Sequence, residues 1–255
     1  MSAFGLLLLA IVFHPFSAAR PDGKLHLDFL DVGQGDSALL TMPDGTTILV
    51  DGGGRPNINQ AEEESVFERD TRSIGEGVVS QYLWSRGMDR VDYILATHAD
   101  ADHIDGLNDV ATNFRVRAAI VARTPADDAE YIRFAGTMKE SGVPVEKIGA
   151  GDLLRFGEVS AQVLWPPPNR DETAPSRNND SIMLLVRYGE KSFLLTGDIE
   201  KKGEAAVLRE GTSLKSDLVK VAHHGSILRT SLFSAHYMGN INSLSNQAVV
   251  FCRPN

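Results

Sequence analysis

The chain has 255 residues, enough for one large domain or two small ones with a sizeable buried core. Hydrophobic residues make up 42% and charged residues 23%, globular values that exclude a disordered or fibrous chain. The formal net charge of −9 excludes a global basic field of the kind that concentrates nucleic acid, and the single cysteine, Cys252, excludes a thiolate metal site while leaving the redox compartment open.

From the N-terminus, Ala3 to Phe13 is an apolar run ended by His14-Pro15, too short for a complete membrane helix of about 20 residues. It reads either as a signal peptide with a cleavage-like Ser17-Ala18-Ala19, without a positive region before it, or as the end of a membrane helix of a longer protein. Residues 1–19 are therefore set apart from a domain spanning 20–255. Strands are predicted at Leu25–Asp31, Ser37–Met42 and Thr47–Asp51, with Pro43-Asp44-Gly45 as one of the turns between them. The polar stretch from Arg55 to Arg72 reads as an exposed loop or short helix.

From about Gly77 the period changes. Val78, Val79, Tyr82 and Leu83 share a helix face that ends before Gly87. Strand Val91–Ala96, helix Ile104–Phe114, strand Ala118–Ala122 and helix Asp127–Ser141 then alternate as βα units. Strands Val159–Trp165, Ile182–Tyr188 and Lys191–Thr196 follow, interrupted by the Pro-rich loop 166–177, and then helix Lys201–Arg209 and strands Leu218–Ala222 and Ala248–Cys252. The fold class is α/β. Trp84 and Trp165 read as packing residues, and Arg115, Arg117, Arg123 and Arg133 either form a basic rim or are solvated faces.

The chemistry concentrates where strands end. Thr97-His98-Ala99-Asp100-Ala101-Asp102-His103 places two imidazoles and two carboxylates directly after the strand Val91–Ala96. Imidazole nitrogen with carboxylate oxygen suits Zn²⁺, Mn²⁺ or Fe²⁺. His98 and Asp100 are placed to serve one ion while Asp102 and His103 serve a neighbour, a geometry for two metals about 3.5–4 Å apart. The competing reading is a polar loop whose aspartates cap the next helix. Two further strands end on Thr196-Gly197-Asp198 and on His223-His224-Gly225-Ser226, and strand ends are where α/β proteins build sites. In Asp31-Val32-Gly33-Gln34-Gly35-Asp36-Ser37, either Gln34 or Asp36 lines the pocket and orients ligands, or the segment is only a tight turn. Asp51, in Asp51-Gly52-Gly53-Gly54, reads as a support for the ligand loop.

Taken in chain order, Asp31 to Ser37, Val50-Asp51-Gly52-Gly53, His98 to His103, Asn178-Asn179-Asp180-Ser181, Thr196-Gly197-Asp198 and His223-His224-Gly225-Ser226 resemble the metallo-β-lactamase-fold domain of ComEC-type DNA internalisation (competence) proteins over about residues 25–226. The resemblance implies a metallo-β-lactamase-like αββα sandwich with its site at one edge. It implies a His-x-His-x-Asp-His core in which Asp100 replaces the second His. One or two divalent ions, Zn or Mn, would be held by His98, Asp100, Asp102, His103, Asp198 and His223 or His224, with Asp198 as the bridge. Asp102, His103 and Asp198 are the expected catalytic residues, and Gln34, Asp36, Asp51, Asn179 and Ser181 are expected to line or support the pocket. The usual third His of the first ion has no counterpart, and Asn178 to Ser181 stand near its place.

The function implied is a metal-dependent phosphodiesterase, a nuclease acting on single-stranded DNA during uptake. Its partners would be membrane channel segments of a longer protein, with no organic cofactor. The hydrolase domain would lie at the cell membrane, outside the cytoplasm. A small-molecule metallo-hydrolase of the same fold and a non-catalytic metal-binding module of a DNA channel are the alternatives. ComEC-type domains usually continue into a Gly-His-Pro segment where this sequence stops at Asn255, so a C-terminal truncation is expected.

Overall fold

A computed structural model describes residues 4, 5, 8, 19–54, 73–168, 178–211 and 214–221, together with the backbone of 248–251. The expected loop over 55–72, His223, His224 and Cys252 lie outside the described residues. The chain begins as an antiparallel meander of β1 (Leu25–Phe29), β2 (Ala38–Thr41) and β3 (Thr47–Val50). Asp44 shapes the turn between β2 and β3, its carboxylate accepting from the Thr46 amide at 2.9 Å. A π-wound segment, Gly75–Ser80, runs straight into the short helix α1 (Gln81–Ser85). The helix predicted from Gly77 therefore starts earlier and is wider at its start.

Three parallel strands follow in βα units: β4 (Arg90–Leu95), β5 (Arg115–Val121) and β6 (Val145–Lys147). They are separated by α2 (Ala101–Asn113) and α3 (Ala129–Glu140). The second half contributes β7 (Leu153–Phe156), β8 (Val159–Trp165), β9 (Met183–Tyr188) and β10 (Lys191–Leu195), then α4 (Lys201–Arg209), β11 (Leu218–Lys220) and β12 (Ala248–Phe251). The strands form two sheets. One has seven strands in the order β12-β1-β2-β3-β4-β5-β6, and the other has five in the order β11-β10-β9-β8-β7.

The two-residue period of the strands decides which face each side chain covers. Leu40, Ile48, Val50, Leu95 and Ile120 turn inward and meet Val163, Leu184, Val186, Phe193 and Leu195 of the other sheet, forming the central apolar layer. The alternate residues Leu39, Leu49, Val91, Ile94 and Ala119 turn outward onto α1, α2 and α3 through Leu83, Ile104, Leu107, Val110 and Phe134. The outer face of the smaller sheet packs Met183, Leu185 and Leu194 against Val207 of α4. The result is the four-layered αββα sandwich. Among the described residues no helix is long and apolar enough to cross a membrane.

The four arginines are neither a bare basic rim nor simply solvated. Arg115 pairs with Asp89, Arg117 with Asp92, and Arg133 with Asp105 and Glu130, whereas Arg123 is buried on Asp180 at 2.5 Å. Trp165 does pack, and it also donates its indole N–H to the Asn179 carbonyl at 2.7 Å. Trp84 leans on Phe114 with ring centroids 5.5 Å apart and leaves its other side exposed.

The loop after β3 lies against α2 closely enough that the contact is backbone to backbone. Gly106 donates its amide to the Gly53 carbonyl at 2.9 Å, and a Cβ on Gly106 would fall on the Gly52 carbonyl. Alanine ordinarily stabilises a helix interior by about 1 kcal/mol relative to glycine. Here the sign reverses: Gly106→Ala is expected to destabilise the protein by about 1–3 kcal/mol through overpacking. Urea unfolding checks this, and a variant as stable as the parent would show that the loop can retreat from α2 at no cost.

Candidate metal centre

The site begins at the end of β3, where Asp51 adopts a left-handed backbone with φ of 58° and is almost fully buried. Aspartate tolerates this region better than most residues because its short polar side chain bonds locally. In this conformation its carboxylate faces the loop after β4. Oδ1 accepts from the Thr97 amide at 2.8 Å, and Oδ2 accepts from the Thr97 hydroxyl at 2.8 Å. The same Oδ2 lies 2.9 Å from Nδ1 of His103.

These contacts settle the orientation of both imidazoles. A hydroxyl has one hydrogen, and Thr97 gives it to Asp51. At its 3.0 Å contact with His98 Nδ1 the hydroxyl must therefore accept, so Nδ1 carries the proton. His103 likewise presents its Nδ1 hydrogen to Asp51. Nε2 of each ring is left facing the pocket, the arrangement by which a carboxylate behind a histidine orients it toward a metal. The rings stand with centroids 4.2 Å apart. His98 Nε2 is buried and makes no hydrogen bond, with Oδ2 of Asp100 3.5 Å away.

The third wall comes from the loop after β10. Asp198 Oδ2 lies 3.4 Å from His103 Nε2. Ser181 holds this loop: its hydroxyl accepts from the Asp198 amide at 2.9 Å and stands 3.4 Å from His98 Nδ1. Ligand atoms of His98, His103 and Asp198 all fall within 4.8 Å of one another, and those of Asp36, Asp51 and His103 form a second such group. A buried imidazole nitrogen without a hydrogen bond, beside a second imidazole and a carboxylate, is a donor set that fits a divalent ion of Zn or Mn type. His98, His103 and Asp198 would hold it.

The charges in the pocket are strongly coupled. Burial alone would lower the pKa of His103, but the Asp51 charge and the contacts with Asp198 and Asp51 outweigh it and push the imidazole up to about 10. His103 would have to give up that Nε2 proton to hold a metal. Contact with His98 holds the Asp100 carboxyl below the usual carboxylate range.

Asp100 sits at the N-cap position of α2 but makes no side-chain cap hydrogen bond, and its carboxylate faces His98 instead. Asp102 lies in the first turn of α2, half-buried and outside both groups of converging ligand atoms, with its carbonyl accepting from the Asp36 amide at 3.3 Å. Gln34 is exposed. Asn179 turns to the start of α4, where Oδ1 accepts from the amides of Glu200 and Gly203 and Nδ2 donates to the Glu200 carboxylate at 2.8 Å.

One residue of the site escaped the sequence reading. Lys220, at the end of β11, donates to Oδ2 of Asp36, lies 3.4 Å from the Gly197 carbonyl and stands 3.8 Å from Oδ1 of Asp198. Burial pulls its ammonium down to about 7, while the two carboxylates facing it favour the charged form. The signal available was a lysine flanked by Val219 and Val221 just before the histidine pair.

With this geometry in place, comparison with known proteins fixes the family. The chain matches the metallo-beta-lactamase superfamily over residues 30–232. It belongs to that superfamily. This metallo-beta-lactamase-fold chain is 31% identical over 201 residues to ComE operon protein 3 of Bacillus subtilis (strain 168), covering 78% of the chain and 25% of that protein. It is 28% identical over 230 residues to Recombination protein 2 of Haemophilus influenzae, covering 90% of the chain and 25% of that protein. These matches bear out the ComEC-type likeness read from the motifs. The chain spans about a quarter of the length of the curated relatives it matches. Among solved structures, the metallo-beta-lactamase SMB-1 bound to 2-mercaptoethanesulfonate aligns with a TM-score of 0.47 and 18% identity, covering 82% of this chain and 80% of that one.

If Asp51 sets both imidazoles, Asp51→Ala is expected to weaken Mn²⁺ or Zn²⁺ binding by about 10–100-fold, the usual effect of removing a partner behind a metal ligand. Calorimetric titration of the variant checks this. Affinity equal to that of the parent would mean that the rings hold their orientation without the aspartate.

Proposed function

We propose that this chain is a metal-dependent phosphodiesterase that hydrolyses single-stranded DNA during DNA uptake, from a position at the cell membrane outside the cytoplasm. The observation that carries the metal-dependent part is the convergence of His98, His103 and Asp198 in a buried pocket, with the histidines oriented from behind. Support for DNA as the substrate comes from the likeness to ComEC-type proteins.

A divalent ion at this centre, Mn²⁺ or Zn²⁺, supplies Lewis acidity toward a phosphoryl oxygen and toward water. The rest is the work of the chain. His98 and His103 offer Nε2, Asp198 offers its carboxylate, and Ser181 fixes the Asp198 backbone so that the carboxylate returns to the same place after each turnover. Asp100 stands at the rim beside His98. Asp102, in the first turn of α2, is assigned to orient the attacking water. His223 and His224 are assigned to complete the ligand set from the segment that follows β11. Asp36 and Asp51 lie behind the ligands, as does Ser181, while Asn179 secures α4 and with it the loop that carries Asp198.

The test is cleavage of labelled single-stranded DNA by the full chain with Mn²⁺ or Zn²⁺, alongside Asp198→Asn and Asp102→Ala. Wild-type cleavage is expected to vanish on chelation and to fall at least 100-fold in Asp198→Asn, with the thermal midpoint still showing a folded protein. Cleavage indifferent to both would refute the metal-dependent reading. Hydrolysis of ester substrates with no action on DNA would favour the small-molecule alternative. Full metal-dependent activity in Asp102→Ala would remove Asp102 from the catalytic set.

A further inference from the structure

Lys220 does something that the proposed ligand set leaves unexplained. It brings a cation into the pocket that is expected to hold a metal cation. Its ammonium bonds to Oδ2 of Asp36 and to the Gly197 carbonyl, and it faces Oδ1 of Asp198 at 3.8 Å. The opposite oxygen of Asp198, Oδ2, is the one that faces His103 at 3.4 Å. Asp198 therefore presents one oxygen to the lysine and the other to the imidazoles.

The second group of candidate ligands, Asp36, Asp51 and His103, is committed in the same way. Asp51 is occupied by Thr97 and His103, and Asp36 by Lys220. The same lysine lines the small cleft between the sheets with Phe29, Ser37 and Leu195. An ammonium on a four-carbon stem is expensive to bury, and carboxylates facing it favour its charged form.

We propose that Lys220 is a positioning residue of the metal centre: a built-in cation that holds Asp36 and engages Oδ1 of Asp198, so that Oδ2 of Asp198 is the oxygen left on the imidazole side, where it would face a metal. The inference rests on the metal-centre reading above and deepens it. It makes a prediction that a merely structural lysine would not. A structural lysine, once removed, loosens the pocket and weakens metal binding. A built-in cation competes with the metal for the same negative charge, and its removal strengthens binding.

The experiment is titration of the full chain with Mn²⁺, followed by the electron paramagnetic resonance signal of the free ion, for wild type, Lys220→Met and Lys220→Arg. Lys220→Met is expected to bind Mn²⁺ at least ten-fold more tightly than wild type, and Lys220→Arg, which keeps the charge, to stay within about three-fold. To avoid leaving Asp36 as a bare buried carboxylate, the same comparison is made between Asp36→Asn and Asp36→Asn/Lys220→Met, where the double variant is again expected to bind at least ten-fold more tightly. Unchanged or weaker binding on loss of the lysine in both backgrounds would overturn the role given to Lys220 while leaving the metal centre intact. No Mn²⁺ binding by the wild type, and no binding of Zn²⁺ by calorimetric titration, would overturn the metal-centre reading itself, and this inference with it.

Discussion

The carboxylate of Asp51 is the contact on which the rest of the site depends. It is buried, its backbone has a φ of 58°, and it meets the Thr97 amide, the Thr97 hydroxyl and His103 Nδ1 at 2.8, 2.8 and 2.9 Å. A left-handed non-glycine residue costs on the order of 1 kcal/mol or more. A charged acceptor with several donors offsets that cost, since hydrogen bonds to ionised groups contribute about 1.5–3 kcal/mol each. The consequence is chemical as well as structural. Because the Thr97 hydroxyl has only one hydrogen to give, a single carboxylate dictates which nitrogen of two different histidines faces the pocket.

The fold supplies the positions that this contact needs. Asp51 follows β3, Thr97 and His98 follow β4, His103 lies in the first turn of α2, and Asp198 follows β10 of the opposite sheet. Parallel pairing of β3 with β4 brings the first two loops side by side, with Val50 opposite Leu95. The Ile182 amide then bonds to the Thr97 carbonyl at 2.8 Å, tying the smaller sheet to the same loop. The candidate metal centre thus lies where the two sheets are joined by polar backbone contacts, while the apolar layer between them fixes their separation. This explains why an exposed edge of a sandwich can hold histidines that are themselves buried.

Much of this was legible in the sequence because the relevant signals are local. The strand Val91–Ala96 followed by four ligand-type residues needs no tertiary information, and the αββα layering was implied by the family resemblance, with which the strand and helix periods agree. The residues that were not legible depend on contacts from distant segments. β6 has three residues and β7 four, too few to show a period, and β7 is half exposed. The π-wound start of the first helix lies where Gly75 meets the backbone of Gly106, a residue 31 positions later. Lys220 looked like an ordinary strand residue because its carboxylate partners lie elsewhere in the chain, Asp36 being 184 positions away. Arg123 could not be separated from the surface arginines, since its burial is decided by Asp180, 57 positions away.

Charge decides how such a centre can meet a polyanion. With a net charge of −9 and Arg115, Arg117, Arg123 and Arg133 each facing carboxylates, the described surface offers little long-range attraction for a phosphate backbone. Within the pocket Asp36, Asp51, Asp100 and Asp198 outnumber the cations, His103 and Lys220. A metal ion changes the sign of this local field at the place where chemistry would occur. Attraction of phosphate and activation of water therefore depend on the same ion. A domain built this way would gain little by capturing a polyanion through its own surface charge. The −9 charge, which argued against a free-standing nucleic-acid binder, is compatible with the proposed function only if the polyanion is held by the ion at the site and not by the surface around it.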